Sequence, residues 1–75
     1  MFEWKVLCGE PGSLHFELYN HFASREEALE CIEKLFPKAR RAIAADGVWS
    51  DDHLEVRLTK HAKRVDFGWI VDAHH

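Results

Sequence analysis

Apolar and polar residues alternate at the start of the chain. Phe2, Trp4, Val6 and Cys8 fall on one side, Glu3 and Lys5 on the other. A period of two predicts a strand with one solvated face. Gly9-Glu10-Pro11-Gly12-Ser13 follows. Pro-Gly suits the central positions of a type II turn, because Pro presets φ and Gly accepts a positive one. A second strand is expected from about Leu14 to Phe22, with Leu14, Phe16 and Leu18 inward, closing a hairpin.

The period then changes. Ser24-Arg25-Glu26-Glu27 reads as a capping box, in which the Ser24 hydroxyl accepts from the Glu27 amide. Phe22 and Ala28 stand near the positions of a hydrophobic staple. Ala28, Leu29, Ile32, Leu35 and Phe36 fall within one arc of a helical wheel, with Cys31 at its edge. Pro37 ends or kinks this helix at Phe36. A shorter helix is expected over 38–45, stopped by Gly47 as its C-terminal cap.

Residues 48–53 read as a polar loop holding Trp49. Leu54, Val56 and Leu58 alternate with Glu55, Arg57 and Thr59, which predicts a third strand. Residues 60–64 read as a turn, and Val65, Phe67, Trp69 and Val71 alternate with Asp66, Gly68 and Asp72 as a fourth. The order β-β-α-α-β-β predicts a small α+β domain. Its mostly antiparallel sheet carries the helices on one face, the economical way to bury these stripes. The pattern does not encode strand order.

Composition adds size and compartment. Seventy-five residues, 47% of them hydrophobic, make one domain over 1–75 with a small core, for which self-association is a natural way to bury more surface. Cys8 and Cys31 are too few for a disulfide framework and sit in apolar-patterned segments, so they read as small hydrophobes in a reducing compartment. No stretch reaches the roughly 18 apolar residues of a membrane span, and no leader pattern stands at the N-terminus. A cytoplasmic protein is expected.

Signatures of catalysis are missing. The chain has no Gly-rich phosphate loop, no Gly-x-Ser-x-Gly and no Cys-x-x-Cys. Cys31 lies at the edge of a core stripe, and Asp51-Asp52 are adjacent where paired catalytic carboxylates need a defined gap. The six histidines raise the question of a metal. His15 and His21 would share a strand face about 20 Å apart, and His53 and His61 about 26 Å apart, too far for one ion. His74 and His75 read as a frayed tail or a leftover of expression. Neither an enzyme nor a metal or other cofactor is expected.

The formal charge of −3 is unevenly spread. Residues 1–36 carry three basic and seven acidic side chains; residues 37–75 carry seven and six. Glu26, Glu30 and Glu33 are spaced to lie opposite the apolar arc of the first helix. Such a stripe costs helix stability between like charges at i, i+4, and reads either as a solvated face or as a contact surface for a basic partner. Trp49, beside Asp51 and Asp52, reads either as a binding anchor or as a lid on the core. Two basic clusters, Lys38/Arg40/Arg41 and Lys60/Lys63/Arg64, the second with Phe67 and Trp69 nearby in sequence, give a second reading as a nucleic-acid surface. Both aromatics also fit the inward stripe of the fourth strand.

In size and pattern the whole chain resembles small phage-encoded inhibitor proteins, of which anti-CRISPR proteins are the best-known group. The likeness is carried by the short single domain, the ββα-type order, the acidic helix Ser24-Arg25-Glu26-Glu27-Ala28-Leu29-Glu30 and the missing catalytic signature. It implies a protein that occludes a surface of its target, often one that normally holds nucleic acid. The expected partner is a protein with a basic surface, met through Glu26, Glu30, Glu33, Trp49, Asp51 and Asp52. Nucleic acid ranks second as a partner, a homodimer is a further expectation, and no membrane is expected.

Overall fold

A computed structural model describes residues 3–71; the expectations on Phe2, Asp72, His74 and His75 fall outside that range. The chain forms β1 (Trp4–Gly9), β2 (Glu17–Phe22), α1 (Arg25–Leu35), a 3-10 turn (Pro37–Ala39), α2 (Arg40–Asp46), β3 (Val48–Ser50), β4 (Glu55–Thr59), β5 (Ala62–Val65) and β6 (Gly68–Val71). Four strands make an antiparallel sheet in the order β2-β1-β4-β3, and β5 pairs with β6 as a hairpin. This is the α+β domain that the alternation predicts, with the helices on one face of the sheet.

Local signals act where the sequence puts them. Ser24 Oγ accepts from the Glu27 amide at 3.1 Å, and Gly47 caps α2 at φ 79° with its amide on Ile43 O. Gly12 takes φ 80° and the Ser13 amide bonds Glu10 O, as a type II turn requires. Pro37 opens the 3-10 turn that redirects the chain from α1 into α2.

The main core lies between helices and sheet. Ala28, Leu29, Ile32, Ala39 and Ile43 bury against Val6, Val56 and Leu58, with Trp4, Cys8, Phe22, Phe36 and Trp49 packed around them. Arg25 ties α1 to α2 by donating to Ala44 O.

The opposite face is where the structure departs from simple alternation. In the β1–β2 ladder Val6 pairs with Asn20 but Leu7 pairs with Leu18, so Tyr19 is an extra, bulged residue. A one-residue bulge moves every side chain beyond it to the other face. Phe22 therefore packs on the helix core, while Leu18 and Phe16 share the face of Leu7. Leu7 and Phe16 are buried there, and Leu14, expected inward, is 77% exposed.

The β5–β6 hairpin serves this second face. Phe16 and Trp69 exchange both backbone hydrogen bonds at 2.8 Å, and the Lys5 ammonium lies 5.9 Å from the Trp69 ring centre. Residues 62–65, expected within a turn and the start of the fourth strand, are strand β5. The reversal comes at Asp66-Phe67, which leaves Phe67 79% exposed rather than in an inward stripe, its ring in a T-shaped contact with His15 at 5.4 Å between centres.

Gly68 is the hinge of this arrangement. Its φ is 133°, and a Cβ there would stand 2.5 Å from Phe16 O. Gly68→Ala is expected to cost at least about 1–3 kcal/mol, the scale of a residue forced into a sparsely populated backbone region. Amide exchange should quicken across β5 and β6 before the main sheet opens. Unchanged protection of the Trp69 and Phe16 amides would contradict the docking.

On the same sheet face as Leu7 sits the one buried charged side chain among the described residues. Glu55 is 6% exposed. Its carboxylate accepts from Arg57 Nε at 2.6 Å and from the Gly12 amide at 3.2 Å, and the Arg57 guanidinium lies 5.6 Å from the Phe16 ring centre. This pair ties the β1–β2 turn to β4.

Candidate functional site

The glutamate stripe forms on the outer face of α1 because the opposite arc is fixed in the core. Glu26, Glu30 and Glu33 are all exposed. The structure divides them. Glu33 turns towards α2, with Oε1 3.4 Å from Arg40 Nε, an ion pair without hydrogen-bond geometry. Glu30 borders an open groove on the β2 side of α1. The groove, about 490 Å³, has Phe22, Cys31 and Leu35 as its apolar surface and Glu27, Glu30 and Lys34 as its polar rim.

The helical wheel puts Leu35 in the core arc, and the structure corrects this: Leu35 is 50% exposed. The helix sits over the sheet with its Leu29–Ile32 side innermost, so residues on the flank of the arc stay half open. The visible signal for the groove is Cys31 at the edge of the stripe, together with a Phe at the end of a strand.

Trp49, Asp51 and Asp52 form a separate group. Trp49 is not in a loop: it belongs to β3, pairs with Val56 and is half-buried against the core. Gly47 turns the chain directly into this short edge strand, which three residues do not reveal by alternation. Trp49 also lines a smaller hollow of about 220 Å³ with Phe36, Pro37, Lys38, Leu54 and Leu35. Leu35 is thus shared by both hollows.

Asp51 builds the β3–β4 turn. Its Oδ1 accepts from the His53 and Leu54 amides at 2.8 Å each, while its own amide donates to Leu54 O. Those amides hold its carboxyl below the usual carboxylate range, with smaller help from the charges of His53 and Lys38. Asp52 is exposed on the same turn.

The basic residues are not gathered into one strip. Arg40 faces Glu33, and Lys60 lies 3.5 Å from Glu3 and 5.4 Å from the Trp4 ring centre. Arg41 is exposed on α2, whereas Lys63 and Arg64 are exposed on β5 of the second hairpin. The helices and that hairpin serve opposite faces of the sheet.

A third hollow, about 450 Å³, is lined by residues that include Cys8, Glu10, His15, Glu17, His53 and Phe67. Among the described residues no three of His, Cys, Asp and Glu converge so as to hold a metal ion. Burial pushes the Cys8 thiol up, and Glu17 and Cys31 act in the same direction, which leaves little thiolate at neutral pH. Both cysteines are free. No described helix is long and apolar enough to cross a membrane. Comparison with family models, with curated proteins and with solved structures finds no match for this chain.

Proposed function

We propose that this chain is a non-catalytic protein-binding module, an inhibitor in mode, that covers a basic, nucleic-acid-binding surface of its target with the outer face of α1. The observation that carries this reading is the combination on one rigid helix of exposed carboxylates with an apolar groove beside them. Charge on a rim steers encounter, while apolar anchors supply most of the binding energy. The separation of the two basic clusters, and the pairing of Arg40 and Lys60 with carboxylates, weigh against nucleic acid as the direct ligand.

The test is affinity capture from the source lysate with and without nuclease, using the native chain and its Glu26→Lys/Glu30→Lys/Glu33→Lys variant as baits. A protein retained after nuclease and lost by the variant is the expected result. Loss of every partner on nuclease treatment would transfer the function to the basic residues. Glu33 is already faced by Arg40, so the Glu26/Glu30 pair should account for most of the change.

A further inference from the structure

The groove between α1 and β2 has a polarity that the glutamate stripe alone does not. Phe22 enters just ahead of the α1 N-terminus, with Glu27 and Glu30 on the rim of the first two turns. Lys34 and Leu35 stand at the other end. The groove is therefore acidic beside Phe22 and basic beside Leu35. Its apolar residues keep part of their surface open: Leu35 is half exposed, and Phe22, which also packs against the core, and Cys31 are half-buried. A volume of about 490 Å³ lies within the roughly 300–1,000 Å³ of sites that take a compact ligand.

We infer that this groove seats one short peptide segment of the partner protein, with a bulky apolar side chain over Cys31 and Leu35 and a Lys or Arg at the Phe22 end facing Glu27 and Glu30. The inference rests on the protein-binding reading above and narrows it from a face to a segment. Charge complementarity fixes the direction. A cation at the Phe22 end meets two carboxylates, whereas at the Leu35 end it meets Lys34. An anionic segment would have to run the other way and forgo most of the rim.

Cys31 gives the site its own reporter. In a Cys8→Ala background it is the remaining thiol, and a seated segment shields it from alkylation. The probe is a random peptide library displayed against the folded protein, followed by synthesis of the enriched peptides. The expected consensus is an apolar residue with Lys or Arg on one side only. These peptides should slow Cys31 alkylation about tenfold or more at saturation. They should bind about tenfold more weakly to Glu27→Lys/Glu30→Lys and more tightly to Lys34→Glu, the scale of a few exposed charge pairs made or broken. Glu27→Gln/Glu30→Gln gives a milder version of the same loss if the Lys variant melts early.

Failure to enrich any peptide, a consensus without basic residues, or enriched peptides that leave the Cys31 rate unchanged would overturn the inference. If the captured partner still responds to reversal of Glu26, Glu30 and Glu33 in that case, binding uses a broad protein surface and the wider reading stands. If it does not respond, both readings fall.

Discussion

Ile32→Asp is expected to leave the chain unfolded at ordinary temperature. Ile32 is fully buried on the inner face of α1, in the core that α1 shares with the sheet and α2. Truncating such a side chain alone removes about 2–5 kcal/mol. A carboxylate adds the cost of burying a charge with no cation beside it. A domain of this length holds only about 3–5 kcal/mol in its core, so the loss exceeds what is there. Ile32→Val, which keeps the shape, should cost only ~0.5–1.5 kcal/mol. The check is far-ultraviolet circular dichroism through a thermal melt. A cooperative transition for the Asp variant near the native temperature would mean that α1 packs on the sheet by another face.

Arg57→Met should produce the second largest loss. It leaves the Glu55 carboxylate, whose side chain is only 8% exposed, with the Gly12 amide at 3.2 Å as its remaining partner. Breaking a fully buried pair costs about 3–5 kcal/mol, so ~2–3 kcal/mol is expected here because Arg57 is about a third exposed. For so small a domain that lowers the melting temperature by roughly 10–20 °C. Met keeps the unbranched apolar stem and gives up the guanidinium over the Phe16 ring, so rescue by a second change at Glu55 separates the orphaned charge from the lost ring contact. Glu55→Gln in the same chain should restore part of the stability, since the amide oxygen still accepts from Gly12 without a net charge. A single variant as stable as the native chain, or a double variant no better than the single, would show that the pair does not fasten the turn.

Much of this fold is legible in the sequence because its signals are local. The capping Ser24, the breaker Pro37, the cap Gly47 and the Pro11-Gly12 turn each act within four residues, and each stands where the pattern puts it. The β2 bulge is different. Leu14, Phe16 and Leu18 read as one inward stripe, yet Tyr19 interrupts the ladder, so that Leu18 and Phe16 face away from the helices while Phe22, also even-numbered, faces them. Nothing within the strand announces this: the bulge shows only in the pairing with β1. Phe67 misleads for a related reason, since a tight hairpin between β5 and β6 fits the same alternating letters as a single strand.

The candidate site follows the same division. The exposure of Glu26, Glu30 and Glu33 is a consequence of helical period and needs no tertiary information. The pairing of Glu33 with Arg40, and the groove that β2 and α1 enclose, depend on how two helices and a strand meet. Trp49 admits two readings in the sequence because a three-residue strand has no period to detect; its place opposite Val56 makes it a partial lid on the core.

The most direct test of the acidic α1 face is the rate at which the captured partner associates, measured against ionic strength. Complementary charge raises association rates, and the effect fades as salt screens it. For the native chain the rate should fall steeply with added salt. For Glu26→Lys/Glu30→Lys/Glu33→Lys, still folded because exposed charge changes move stability little, the rate at low salt should drop by about tenfold or more, and its salt dependence should flatten or reverse. Identical rates and identical salt dependence in the two folded proteins would contradict the assignment and leave the stripe as solvated surface.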